Sequence, residues 1–182
     1  MKKDFAMEER KKIRLAKRGD QQAIALLLEK NYVFVKNYLV KITLDPSFAE
    51  DLTQETMIRA IERIQQFKGN AKFSTWLIQI ATNVFLDEKR KQTRRNTWMK
   101  AYQQAERMRW NSRHAGHGLE LLEGLAELPD EQRIALILKH YYGYTYNEIA
   151  LFTGAQEGTV KSRVYHAIQA LRKESHNEEG NQ

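Results

Sequence analysis

Residues 144–163 read Tyr-Thr-Tyr-Asn-Glu-Ile-Ala-Leu-Phe-Thr-Gly-Ala-Gln-Glu-Gly-Thr-Val-Lys-Ser-Arg. Thr145 and Glu148 have capping-box spacing, in which a hydroxyl and a carboxylate each satisfy an orphan backbone N–H of the first helical turn. A helix starts there. Gly154, four residues after Ala150, supplies the left-handed position that ends it, and the small Ala150 permits a close helix crossing. After a tight turn, Val160, Val164, Ile168 and Leu171 form the apolar stripe of a second helix beginning near Glu157. That stripe leaves Glu157, Lys161, Ser162, Tyr165, His166 and Gln169 largely outside it. Two short helices joined by a glycine turn, the second polar and partly cationic near its start, are the helix-turn-helix arrangement that reaches base edges in the major groove. Thr159 and Lys161 are placed to hold phosphates, and Ser162, Arg163 and His166 to read bases. The competing reading is a helical hairpin with a merely solvated charged face, which gives the capping and glycine signals no special role.

Outward toward the N-terminus, Gly143 closes the preceding helix, Asp130-Glu131 place negative charge at its start, and Pro129 separates it from a short helix over Leu119 to Leu128. From about Asn96 to Gly118 apolar periodicity fades while polar and basic residues accumulate, which predicts a flexible linker. His114 and His117 lie in it with too few companion ligands for a metal. Tyr141, Tyr142, Tyr144 and Tyr146 cross a helix end without sharing a stripe, so they are expected to pack around the helix-turn-helix rather than form a stacking platform.

Three helices are expected before the linker. The first runs from Ile13 to about Lys41, where Ile24, Leu27, Leu28 and Val35 recur near helical spacing. Asp45 as N-cap and Pro46 as first helical residue open the second, which reaches about Phe67. Lys68-Gly69-Asn70-Ala71-Lys72 breaks the pattern, and Ser74 caps a third helix carrying Leu77, Ile80, Ala81 and Val84 on its apolar face. This third helix ends in the basic run Lys89, Arg90, Lys91, Arg94 and Arg95. With two prolines, nine glycines and no period-2 alternation, the 182-residue chain reads as all-α. Two small helical domains, 1–95 and 119–174, are joined by the 96–118 linker and followed by a polar tail, 175–182.

The formal charge of +7 is clustered, which points to a polyanionic partner. The absence of cysteine excludes disulfides, thiolate chemistry and cysteine-ligated zinc. The N-terminus lacks an apolar signal core, and no apolar run approaches the roughly 20 residues that span a bilayer. A cytoplasmic protein without membrane insertion is expected.

Two faces of the N-terminal half carry chemistry. Asp51, Gln54, Glu55, Ile58 and Glu62 share one side of the second helix, opposite Thr53, Met57, Ala60, Ile61 and Ile64, and an acidic face around an isoleucine suits protein docking. The carboxylates alone could suggest a metal site, but no histidine or glycine-rich loop supports it. On the third helix Trp76, Gln79, Asn83 and Arg90 form a stripe of ring, amides and cation that suits unstacked bases, against the plainer reading of a core tryptophan beside a solvated helix end.

The combination resembles a known family. Residues 48–56, Phe-Ala-Glu-Asp-Leu-Thr-Gln-Glu-Thr, with Phe67, residues 73–77, Phe-Ser-Thr-Trp-Leu, Asn83 and Asp87, look like region 2 of bacterial extracytoplasmic-function sigma factors. Leu128-Pro129, Glu148-Ile149-Ala150 and residues 158–163, Gly-Thr-Val-Lys-Ser-Arg, look like region 4. The resemblance implies a non-enzymatic alternative sigma factor of core RNA polymerase. Asp51, Gln54, Glu55 and Ile58 would dock on the clamp helices of the largest subunit, and the C-terminal domain would bind the flap and the upstream promoter element. Trp76, Gln79, Asn83 and Arg90 would act at the downstream element, and the Lys68–Lys72 loop would hold a flipped base. Promoter DNA would thus be met both as duplex and as single strand, opened without ATP, cofactor or covalent chemistry. An anti-sigma factor is a further partner open to such a protein. His166, Ile168 and Gln169 depart from basic residues frequent in this family's recognition helix, so its sequence preference is expected to differ.

Two rivals remain on the sequence. A response-regulator-type activator binds duplex DNA through a similar Thr-Val-Lys-Ser-Arg string, but the N-terminal half lacks the strand–helix alternation of a phospho-acceptor domain. A metal-dependent nuclease using Glu50, Asp51 and Glu55 lacks a phosphate-cradling motif.

Overall fold

The computed structural model describes residues 2–95 and 124–179, all of them helical or in turns and loops, with no strand among them. The linker residues, with His114 and His117, lie outside the described residues, as does 119–123 of the expected short helix, which is seen as one turn over 124–127.

The first helix expected from the periodicity is two helices: α1, Lys2–Lys17, and α2, Gln21–Thr43. The apolar pattern runs through the junction, but Gly19 takes φ +90, a conformation that ends α1. Asp20 then caps α2, its Oδ1 accepting from the Ala23 N–H at 2.9 Å. At the other end of α2, Leu44 closes the helix in the left-handed region at φ 55.

Asp45 and Pro46 open α3, Pro46–Arg63, as their order suggests, with Asp45 Oδ1 accepting from Phe48 N–H at 3.0 Å. A 3₁₀ turn, Ile64–Gln66, tightens its end and delivers Phe67 into the core. The fourth helix, α4, spans Phe73–Arg95. It begins two residues earlier than a Ser74 cap requires: the Trp76 N–H pairs with the Lys72 carbonyl at 3.2 Å, so Ser74 sits inside the first turn.

Helices α2, α3 and α4 share a core of Leu27, Val35, Leu39, Ile42, Leu52, Ala60, Leu77, Ile78 and Phe85. Its buried polar groups are satisfied within it. Tyr38 meets Thr82 Oγ1 at 2.6 Å, and Thr82 donates onward to the Ile78 carbonyl at 2.8 Å.

In the C-terminal half, α5, Asp130–Leu136, continues as a π turn over Ile137–Tyr141 that ends before Gly143. Thr145 and Glu148 form the capping box of α6, Tyr146–Thr153, and Gly154 follows at φ 65. The second helix of the pair, α7, Glu157–Glu179, runs past the expected domain end at 174. Ile134, Leu138, Ile149, Phe152, Val160 and Val164 continue the same buried cluster into the C-terminal half, and Ala167 is buried with them.

The two halves are in contact. α6 packs along α4, and α5 meets the end of α2. Tyr142 stands edge-on to both Phe34 and Tyr38 of α2 with ring centroids 5.5 Å apart, so it packs against the other half of the chain rather than around the helix-turn-helix. Tyr144 divides its contacts, edge-on to Phe152 of α6 and 3.5 Å from Thr75 Oγ1 of α4.

Candidate functional site

On α3 the helix repeat turns Asp51, Gln54 and Ile58 outward together, all exposed, with Glu55 half-buried beside them. Thr53, Met57, Ala60 and Ile64 are buried on the opposite side, as their spacing requires. Ile61 is not with them. It lies seven positions after Gln54, which at about 100° per residue returns it to nearly the same direction, and it is 47% exposed beside Ile58 at 52%. The acidic face therefore has a two-isoleucine apolar centre, close to the composition of a protein-docking patch.

Glu55 is also anchored. Arg59 Nε donates to Glu55 Oε1 at 2.7 Å, Arg59 Nη1 to Asp87 Oδ2 at 3.1 Å, and Arg90 Nη1 to Asp87 Oδ1 at 3.1 Å. Partial burial works against the Arg59 charge, but the hydrogen bonds to the two carboxylates outweigh it and hold its pKa above the ordinary guanidinium value. This ladder joins the acidic face of α3 to the basic end of α4. Arg59, four residues after Glu55, is a helix-pair signal that sequence reasoning passed over.

Residues 68–72 form an exposed loop between the 3₁₀ turn and α4. Trp76 borders it, only partly exposed, its ring 5.3 Å from Phe67 and 5.5 Å from Phe73. The ring thus completes an aromatic cluster with Phe67 and Phe73 at the end of the loop, as a core tryptophan would, and the rest of it stays accessible. Gln79 and Asn83 are half-buried farther along α4, with Asn83 Nδ2 donating to the Gln79 carbonyl at 2.9 Å. Arg90 is exposed.

On α7, Thr159, Lys161, Ser162 and His166 are exposed, with Tyr165 lying against His166 at 5.5 Å. Lys161 reaches Glu157 at 2.7 Å, a bond that raises its pKa, and it lies over the Tyr146 ring. Arg163 turns back to Glu131 at the start of α5. Of the three residues expected to read bases, Ser162 and His166 present themselves outward, whereas Arg163 is held at the side.

Sequence reasoning missed the most buried cation. Arg133 is 0% exposed and donates to the carbonyls of Ile42 (2.9 Å), Leu125 (3.2 Å) and Leu128 (2.9 Å), and to Asp130. Asp130 in turn pairs with Lys89 of α4 at 3.3 Å. An arginine inside the run Arg133-Ile134-Ala135-Leu136 was the available signal.

Residues 27–95 match the family model for Sigma-70 region 2, and residues 118–171 match that for Sigma-70, region 4. The chain is 31% identical over 178 residues to the ECF RNA polymerase sigma factor SigW of Bacillus subtilis, covering 91% of this chain and 95% of that protein. This chain belongs to the extracytoplasmic-function (ECF) sigma factors. A second relative, the ECF RNA polymerase sigma factor SigL of Mycobacterium tuberculosis, is 31% identical over 150 residues, covering 80% of this chain and 85% of its own.

An ECF sigma factor is an alternative sigma factor acting with RNA polymerase in transcription initiation, so the activator reading is not favoured. Two solved structures share the fold. One is the sigma factor RpoE in complex with the anti-sigma factor NepR from Bartonella quintana, with a TM-score of 0.62, 22% identity, and coverage of 86% of this chain and 96% of that one. The other is CnrH in complex with the cytosolic domain of CnrY, with a TM-score of 0.63, 21% identity, and coverage of 91% and 95%. Among the described residues, no helix is long and apolar enough to cross a membrane.

Proposed function

We propose that this ECF sigma factor divides its work between two readers, with domain bounds near 1–95 and 119–174 and a connecting segment at 96–118. The outer face of α3, with Asp51, Gln54, Glu55 and Ile58 at its centre, docks on the clamp helices of the largest polymerase subunit. The α7 face, with Thr159 and Lys161 at the phosphates and Ser162 and His166 at base edges, reads the upstream element as duplex. Arg163 adds to that reading when it leaves Glu131, and the second domain also meets the polymerase flap. The 68–72 loop with Trp76, Gln79, Asn83 and Arg90 captures unpaired bases of the downstream element, which opens the duplex by binding energy alone. No enzymatic step is involved. The protein works in the cytoplasm, where core polymerase is, and an anti-sigma factor is a partner consistent with the complexes formed by RpoE and CnrH.

The observation that carries this reading is the convergence of Asp51, Gln54 and Ile58 on one exposed side of α3 while Lys68–Lys72 and Trp76 border the start of α4. The test is titration of labelled chain with core RNA polymerase. Asp51→Ala with Ile58→Ala should weaken core binding about tenfold or more, while Ser162→Ala with His166→Ala should leave it unchanged and reduce upstream-element binding by the holoenzyme. Equal core affinity for all variants contradicts the assignment.

A further inference from the structure

α1 ends where the 68–72 loop begins. Lys17 Nζ donates to the Phe67 carbonyl at 3.1 Å, and Gln65 Nε2 donates to the Lys17 carbonyl. These two bonds pin the last turn of α1 to the base of the loop. Ala16 is buried in the core, with Ile13 partly buried beside it, so the orientation of α1 about its axis is set. Arg10, Arg14 and Arg18 then follow at four-residue steps beside Lys17, all exposed.

Among the described residues, the carboxylates of α1 are used elsewhere, Glu8 on Lys12 at 3.0 Å and Glu9 on Lys30 at 3.2 Å. Asp20, the next acid along the chain, is the N-cap of α2. Arg10, Arg14 and Arg18 therefore form a cationic edge along α1 and just past its end, and the last turn of α1 is bonded at Phe67, one residue before exposed Lys68.

We infer that Arg10, Arg14 and Arg18 extend the phosphate track of the loop, so that the displaced promoter strand held at residues 68–72 runs along α1. The inference rests on the reading of that loop as the holder of a flipped base. The ligand chemistry is a single-stranded polyphosphate backbone: planar guanidinium groups suit phosphate oxygens, and such contacts are independent of base sequence. Each phosphate neutralised releases condensed counterions, so the number of contacts appears as the slope of log affinity against log salt, about 0.7 per phosphate on a single strand.

The experiment uses holoenzyme assembled from the full chain and core polymerase. Its affinity is measured over a salt series for a forked promoter with the downstream element unpaired, and for a duplex carrying only the upstream element. Arg14→Gln with Arg18→Gln should weaken fork binding about fivefold and lower the salt slope by about 1.4, with upstream-duplex affinity and melting temperature unchanged. Lys68→Gln with Lys72→Gln is the reference. If the lysine pair weakens fork binding and the arginine pair does not, the track does not run along α1. If neither does, the loop reading is wrong and the inference falls with it.

Discussion

Arg133 Nε donates to the carbonyl of Ile42 at 2.9 Å, across 91 positions of sequence. Ile42 lies in the last turn of α2, where helix carbonyls lack intrahelical donors, so an arginine of the C-terminal half completes a helix of the N-terminal half. The same guanidinium holds Leu125, Leu128 and Asp130. It organises the approach to α5 and the contact between the halves at once.

Arg133→Met should therefore destabilise the protein by about 3–5 kcal/mol, because it leaves several buried acceptors without donors. Thermal melting reads that loss. Small-angle scattering should also show a larger radius of gyration as the halves separate. Unchanged melting and size would mean that the arginine is not a junction.

The helix-turn-helix turn makes a paired prediction. A Cβ added at Gly154 or at Gly158 meets nothing within 4 Å, but Gly154 has φ +65 whereas Gly158 sits in ordinary helix. Gly154→Ala should cost about 1–2 kcal/mol from left-handed strain, and Gly158→Ala should stabilise by about 0.5–1 kcal/mol. Denaturant unfolding of both variants checks the sign. Two changes of the same sign would contradict the conformations assigned.

Local signals account for most of what was legible in the sequence. Thr145 with Glu148, Gly154, and Asp45 with Pro46 act within one helical turn, and each sits where its spacing put it. The Gly19-Asp20 break went unread because Ile13, Leu27 and Val35 keep apolar spacing across it. Longer-range partners left no such trace. Arg133 is bound mostly by backbone carbonyls, which have no residue type, and Arg163 is drawn aside by Glu131, 32 positions earlier. Ile61 was placed with the core when seven-residue spacing from Gln54 puts it on the exposed acidic face of α3.

That relocation has a consequence for polymerase binding. Ile61→Asp should weaken association with core about tenfold and shift stability by no more than about 0.5 kcal/mol, as for an exposed site. A core-binding titration beside a thermal melt separates the two. Full core affinity would return Ile61 to an incidental surface position.

Glu50 ties α2 to α3 through Lys36 and Tyr32, and these hydrogen bonds hold its carboxyl below the usual carboxylate range. A depressed folded-state pKa contributes stability above the unfolded-state value and loses it as pH falls through the lowered one. Glu50→Gln should thus melt below the parent at neutral pH, and the gap should close as the medium becomes acidic. A gap independent of pH would show that the charge of Glu50 has no part in the effect.

In the proposed function one chain both joins core polymerase and opens a promoter through two separate readers. In vitro transcription with core polymerase on a promoter library, with permanganate footprinting of unpaired thymines, tests it most directly. Initiation should be confined to a subset of promoters, with footprints over the downstream element that are lost with Trp76→Ala while duplex binding through Ser162 and His166 persists. Duplex binding with neither redirected initiation nor strand opening would contradict it.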